Sequence, residues 1–421
     1  MAIKNQSDQQ VKSWRQQGTK NGEVYDRFIL KQGTNVSRNK EGAFINYYNE
    51  HNIIPVTQII DAGHVSKRHY LYTTLGVPSC AISKWDILEF GPGGGYNAVA
   101  TSAFGPNKYT LVDASSASIN VLNKNKKDGL FKDVKELEIV ESTILNFNQK
   151  DIYDLVIIEG LVPGQRYPNE ILKHAANYTK KGGVLISTCI SATSIFSETC
   201  RRLFRPYIKA NAKDFNEQCK LGAKIFGPQL DALSKNHRPA IDWVQDNIMH
   251  PHSPEDKIVY TLEDTINLLN DDFIFYSSSP KFAQDDRFYK KVDPSNWGIN
   301  DLAIDECKEY GTGMIDYRIP IKLARIVGAK QTKEIEKKCL EAWNMQLEIV
   351  NTLSYSKLSN FVEIALDIEA SLPIEFNATK ASIQEFCSEF ALFVKGEADG
   401  KFEKFKNWWG RGQQYISMMR K

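Results

Sequence analysis

The segment Ile87-Leu88-Glu89-Phe90-Gly91-Pro92-Gly93-Gly94-Gly95 puts an acid near the end of a short apolar run and follows it with a glycine-rich turn. Glycine serves two purposes in such a turn. It adopts dihedrals that a side chain forbids, and it lets the backbone come close to a ligand. A helix starting near Tyr96 would present free amides and a positive dipole end to whatever binds there. A second acid closes Leu111-Val112-Asp113, 18 residues beyond Gly95. A carboxylate at that place can take both hydroxyls of a ribose.

Two ligand chemistries compete for this pattern. A dinucleotide site wants G-x-G-x-x-G, but counting from Gly91 the third glycine position is Tyr96. Glu89 would also crowd a pyrophosphate with a second negative charge, whereas cationic sulfonium and ammonium groups suit it. The segment resembles the first motif of class I S-adenosylmethionine-dependent methyltransferases, acid-x-G-x-G-x-G, matched here by Glu89, Gly91, Gly93 and Gly95. The resemblance implies S-adenosyl-L-methionine as cofactor and S-adenosyl-L-homocysteine as product. It also implies that the glycine turn holds the methionine part and Asp113 the ribose. Tyr153–Ile158 resembles the family's fourth strand and Lys180–Ile186 the turn into its fifth. The match covers roughly residues 84 to 190, with a tail at 273 to 292. Many relatives place an Asp after the third strand to hold the adenine amine. Here the sequence is Val140-Glu141-Ser142-Thr143, so adenine contact is expected from Ser142 or the Thr143 backbone.

Glu159-Gly160-Leu161 follows the fourth strand-like run, where open α/β sheets place ligands. Glu159 is the candidate catalytic residue: a general base or an orienting group for an acceptor amine. A contact to the cofactor's amino group, or a cap on the next segment, would use the same carboxylate. His174 falls within a helical pattern and reads as a structural histidine. His250 and His252, with Glu255 and Asp256 nearby, are metal-ligand types. They lack an i, i+4 pair and are interleaved with prolines, so no metal is expected. Lys124, Lys126, Lys127 and Lys132 read as a solvated helix face.

The elements that must position these groups are short apolar runs at Trp85–Glu89, Tyr109–Asp113, Leu137–Val140, Leu155–Ile158 and Val184–Thr188, alternating with helical segments. Such runs suit strands buried on both faces of a parallel sheet. Ser115 is placed to cap one helix, and Pro168 suits the first turn of another. Steps of three and four from Phe215 through Leu233 predict a helix inserted before the last strands, which are expected at Phe273–Tyr276 and Phe288–Lys291. Glu334–Leu353 and Ile383–Val394 predict further helices, with Trp408 and Trp409 anchoring the end of the chain. The expected fold is a Rossmann-like α/β architecture: a mostly parallel seven-stranded sheet flanked by helices. An N-terminal helical region at 1–83 is a possible lid, with Trp14, Tyr25, Phe28, Phe44, Tyr47 and Tyr48 lining it. The core is expected at 84–292, with a helical insertion at about 191–265, and a C-terminal helical region at 293–421.

Bulk properties narrow the remaining function classes. The 421 residues carry 53 Lys+Arg against 51 Asp+Glu, so total charge does not steer the chain toward nucleic acid. No run approaches the ~18 apolar residues of a membrane span. The polar N-terminus has no apolar signal core. Seven scattered cysteines without C-x-x-C spacing read as reduced thiols in a cytoplasmic protein. The expected partner is a small-molecule acceptor, with neither nucleic acid nor membrane indicated, and no residue pattern specifies an oligomeric state. An NAD(P)-dependent oxidoreductase, an RNA methyltransferase and a non-catalytic binding protein on the same fold are the alternatives.

Overall fold

Seven strands pair in the order β3-β2-β1-β4-β5-β7-β6. They are β1 (Asp86–Phe90), β2 (Lys108–Asp113), β3 (Glu136–Glu141), β4 (Tyr153–Ile158), β5 (Thr179–Cys189), β6 (Phe273–Ser279) and β7 (Gln414–Arg420). The first five are mutually parallel, whereas β7 runs antiparallel to both β5 and β6. The sheet is thus seven-stranded and mostly parallel, as the sequence predicts. The computed structural model describes residues 47, 48, 50, 51, 53, 54, 61–233, 238–293 and 296–421. The aromatic residues Trp14, Tyr25, Phe28 and Phe44 lie outside the described residues.

Parallel register puts paired residues on one face of the sheet, and both faces are apolar. Ile87, Tyr109, Leu111, Leu155, Ile157 and Ile186 pack under Tyr72, Leu75 and Leu122. Leu88, Phe90, Val112, Val156, Ile158 and Leu185 face Leu172, Ile266 and Ala303 on the other side. Each fully buried side chain of this kind contributes about 1.5–3 kcal/mol. Four helices matter most for the site: α1 (Ala62–Thr74), α2 (Tyr96–Ser102), α3 (Ser116–Lys127) and α4 (Pro168–Ala176). Ser115 caps α3 by accepting from the Ser118 amide, and Pro168 stands in the first turn of α4, both as expected. α1 packs its Tyr72 into the sheet face, so this part of the N-terminal region is a layer of the core.

The C-terminal half departs from the sequence reading. Phe288–Lys291 is no strand: Tyr289–Lys291 forms a single 3-10 turn. Phe288 and Tyr289 remain 60% and 73% exposed, so the run has no apolar face to bury. The last strand is β7, at the very end of the chain. The boundary expected near 292 is therefore crossed by the sheet, and the segment from about 299 to 395 is an insertion between β6 and β7. The helix predicted from Phe215 forms as α7 (Phe215–Asp231), following α5 (Phe196–Arg202) and α6 (Phe204–Asn211). These helices share one hydrophobic core with Ile335, Phe361, Phe386 and Phe390 from the second insertion. Trp408 and Trp409 close that core, with the Trp408 indole donating to the Ile315 carbonyl at 2.8 Å. Among the described residues, no helix is long and apolar enough to cross a membrane.

Candidate functional site

Strand order reverses at β1, which has β2 on one side and β4 on the other. The turn after β1 and the turn after β4 therefore flank one crevice at the carboxyl edge of the sheet, the place where open α/β sheets bind ligands. Gly91 (φ 64°), Gly93 (φ 55°) and Gly95 (φ 80°) all occupy the left-handed region. Gly95 then caps α2. A Cβ on Gly91 would also strike Leu161, which leans across from the turn after β4. Both the dihedral and the close approach therefore demand glycine there.

Asp113, at the end of β2, is tied to this turn. Its carboxylate accepts from the Gly93 amide at 2.9 Å and from the Ser115 amide at 2.8 Å. Burial pushes its carboxyl above the usual range, and these backbone donors oppose that rise. Ser142 stands beside it: β2 and β3 pair Asp113 with Glu141, and the Ser142 amide donates to the Asp113 carbonyl at 3.0 Å. The Ser142 hydroxyl in turn donates to the Thr143 carbonyl at 2.9 Å.

Glu89 is placed differently from the expectation. Its carboxyl is only 2% exposed and receives the Tyr109 hydroxyl beneath the turn. Desolvation raises it to about 7, against the pull of the nearby Arg68 charge. Glu89 thus belongs to the base of the turn, sealed from solvent, and does not face the crevice as a free counter-charge.

Glu159 is held on three sides. Arg68 of α1 pairs with Oε2 at 2.7 Å, Asn97 of α2 donates to Oε1 at 3.0 Å, and Tyr415 of β7 donates to Oε1 at 2.5 Å. Asn97 is fixed in turn by His64 at 3.0 Å. Burial opposes the Arg68 charge, and Glu159 more than restores it, so the guanidinium stays charged. Both oxygens of this carboxylate are therefore engaged by side chains of α1, α2 and β7. Sequence reasoning did not find Arg68, Asn97 or Tyr415 as parts of the site. Asn97 lies two residues past Gly95 and was within reach of the motif. Arg68 and Tyr415 carry no local signal at all.

His174 is structural, as expected, bonding the Phe147 carbonyl at 2.9 Å from within α4. Among the described residues, no group of three or more His, Cys, Asp or Glu side chains gathers as for a metal ion. His250 and His252 lie 4.8 Å apart, ring to ring, beside two arginines rather than carboxylates.

The crevice fits the methionyl–adenosyl ligand implied by the sequence. Three left-handed glycines form a cradle that a Cβ would fill, and Ile54 and Leu161 supply apolar walls against Gly94 and Gly91.

The model of a family described as "Methyltransferase domain" matches residues 24–254. No curated protein sequence matches the chain. Among solved structures, PKMT2 from Rickettsia typhi in complex with AdoHcy is 14% identical, with a TM-score of 0.35, over 58% of this chain and 50% of that one. An O-methyltransferase family protein from Burkholderia thailandensis is 13% identical, with a TM-score of 0.29, over 50% and 52%. The CcbJ methyltransferase from Streptomyces caelestis is 13% identical, with a TM-score of 0.28, over 37% and 61%. The aligned part spans between half and about three fifths of each of those chains.

Proposed function

Because this chain belongs to the methyltransferase-domain family, we propose that it is an S-adenosylmethionine-dependent enzyme that methylates a small-molecule acceptor. The observation that carries this reading is the bond from the Gly93 amide to the Asp113 carboxylate at 2.9 Å. It couples the acid suited to a ribose directly to a turn of left-handed glycines. The cofactor, when bound, supplies a methyl carbon activated by a positive sulfur.

The remaining work falls to the chain's own residues. Asp113 would accept from the ribose hydroxyls, the glycine turn would lie against the methionine part, and Ser142 with the Thr143 backbone would border the adenine. Leu161 and Ile54 exclude water from the turn. Glu159 is a positioning residue: its contacts to Arg68, Asn97 and Tyr415 lock α1, α2 and β7 around the crevice. Glu89 supports the turn from below. Holding an acceptor in near-attack geometry can supply about 7–11 kcal/mol of a barrier in favourable cases. The acceptor pocket is formed by the helical insertion after β5, which returns to the carboxyl edge of the sheet where Ile190 bridges to Tyr260.

The test compares thermal shifts with S-adenosylhomocysteine, NADH and ATP on wild type and on Asp113→Ala. A ligand at 100 times its Kd adds about 2.7 kcal/mol to the folded state. The expected result is a shift with S-adenosylhomocysteine alone, reduced in the variant. A larger shift with NADH would replace this reading with a dehydrogenase. If the cofactor binds, S-adenosylhomocysteine release with a panel of acceptors identifies the substrate.

A further inference from the structure

Burying a charge is costly unless the protein or a ligand supplies its partner. Two arginines in the insertion after β5 break that rule. Arg202 and Arg205 are 3% and 8% exposed, and among the described residues neither forms an ion pair. Their hydrogen bonds go only to carbonyls: Arg202 to Asn247 and to His250 (2.8 Å), and Arg205 to His250 (3.2 Å). The Nε atoms of both are sealed from solvent without a partner, as is Nδ1 of His252. Lys209, one turn beyond Arg205, adds a third cation, and burial together with Arg205 lowers it to about 8.

Two neighbours show how the fold treats an arginine that it uses only for structure. Arg201 is fully buried, yet its Nε, Nη1 and Nη2 all donate, and its guanidinium lies 3.7 Å from the Trp409 ring centre. Arg238 is paired with Asp246. Arg202 shares a ring contact, 5.5 Å from the Trp343 ring centre, but its Nε does not donate, and among the described residues neither Arg202 nor Arg205 is paired with a carboxylate. Burial holds both below the usual arginine value, at about 9 and about 10, and Arg202 is lowered further by Arg205. The two imidazoles beside them are likewise driven toward their neutral forms, so the cluster already holds more positive charge than it can accommodate.

The cluster is connected to the candidate site through the chain on either side of it. α5 leaves the carboxyl end of β5, and the chain after His252 returns to that edge through the Gln165–Lys257 and Ile190–Tyr260 bridges. Tyr47 packs on His250, with ring centres 4.9 Å apart, and the Tyr48 hydroxyl donates to Asp246 at 3.0 Å. Six residues further on, Ile54 rests against Gly94 of the cofactor turn. At ~3.3–3.6 Å per residue, that span is no more than about 22 Å.

We infer that Arg202 and Arg205, with His250 and His252 beside them, bind an oxyanion of the methyl acceptor, so that the substrate carries a carboxylate or a phosphate. The inference rests on the methyl-transfer reading for the word acceptor; the anion site itself stands on the unpaired guanidinium groups. Arginine suits this task because its planar fork meets two oxygens of a carboxylate or phosphate at once.

The full chain is titrated calorimetrically with inorganic phosphate and, separately, with acetate, in chloride buffer of matched ionic strength. S-adenosylhomocysteine is titrated in parallel. Saturable binding of at least one oxyanion is expected, weakened at least tenfold in Arg205→Met, while the S-adenosylhomocysteine Kd stays the same. The tighter of the two oxyanions gives the substrate class. In chloride alone, Arg205→Met should be no less heat-stable than wild type, because it removes a buried unpaired charge; a merely carbonyl-capping arginine would lower the melting temperature when removed. If Arg205→Met fails to fold, Arg205→Lys replaces it and should still bind the oxyanion more weakly. The inference is overturned if neither oxyanion saturates wild type, or if the variant binds it equally well. Failure of S-adenosylhomocysteine to bind wild type would instead overturn the cofactor reading and leave the oxyanion result standing.

Discussion

Tyr415 donates its hydroxyl to Glu159 Oε1 at 2.5 Å, joining the last strand to the turn after β4 across 256 positions of the chain. The same carboxylate is paired with Arg68 on its other oxygen. The edge of the crevice is thereby assembled from the beginning, the middle and the end of the described chain. Tyr415→Phe removes one donor to a mostly buried carboxylate, a loss of about 1–3 kcal/mol. Thermal unfolding should show a lowered midpoint, and an unchanged midpoint would mean that Tyr415 is not a structural partner of Glu159.

Deleting residues 414–421 removes the strand between β5 and β6 and exposes two sheet edges. Unpaired edges invite association with other chains. The truncated protein should lose its cooperative unfolding transition and aggregate on gel filtration. A monomeric product with a sharp transition would show that the sheet closes without β7.

Asp113→Asn keeps the shape of the side chain and removes its charge. Hydrogen bonds to a charged group contribute about 1.5–3 kcal/mol, and tenfold in affinity corresponds to about 1.4 kcal/mol. S-adenosylhomocysteine should therefore bind roughly 10- to 100-fold more weakly by calorimetry, with the melting temperature of the free protein little changed. Equal affinity would remove Asp113 from the ribose site.

Gly91→Ala meets two obstacles, a φ of 64° and the side chain of Leu161. The strain alone is of order 1–3 kcal/mol. S-adenosylhomocysteine binding should fall sharply. Adding Leu161→Ala should recover the steric part of the loss but not the dihedral part. Strict additivity of the two substitutions would show that they do not touch.

Burial raises the Glu89 carboxyl from 4.5 to about 7. A folded acid raised in this way binds more protons than the unfolded chain between those values. Its contribution to stability is then fully present below pH 4.5 and is lost as the pH rises to about 7. The difference amounts to ~3 kcal/mol. Glu89→Gln should gain on wild type by about that amount between pH 4.5 and pH 8 in denaturant unfolding. His250, lowered to about 3 chiefly by burial, slopes the opposite way in both chains and cancels in the comparison. Parallel curves would show that Glu89 is not the proton acceptor.

The parallel half of the sheet and the glycine turn were legible in the sequence, because their signals are local. Four or five apolar residues buried on both faces, a glycine wherever φ is positive and an acid at a strand end all lie within about 30 residues of one another. The caps at Ser115 and Pro168 are local in the same way. Burial decided the errors. Phe288–Lys291 has the composition of a strand but no face to cover, whereas Gln414–Arg420 was passed over because its alternation is short and lies behind two insertions.

The sequence by itself determined the βα core, the glycine turn and the acid that closes the second strand beside it. Tertiary structure alone decided that Glu89 is buried against Tyr109, that Glu159 contacts Arg68 and Tyr415, and that Arg202 and Arg205 are buried without a counter-charge. The physical reason is that backbone conformation follows from neighbouring residues, while the desolvation and pairing of a charge depend on whatever the rest of the chain brings against it.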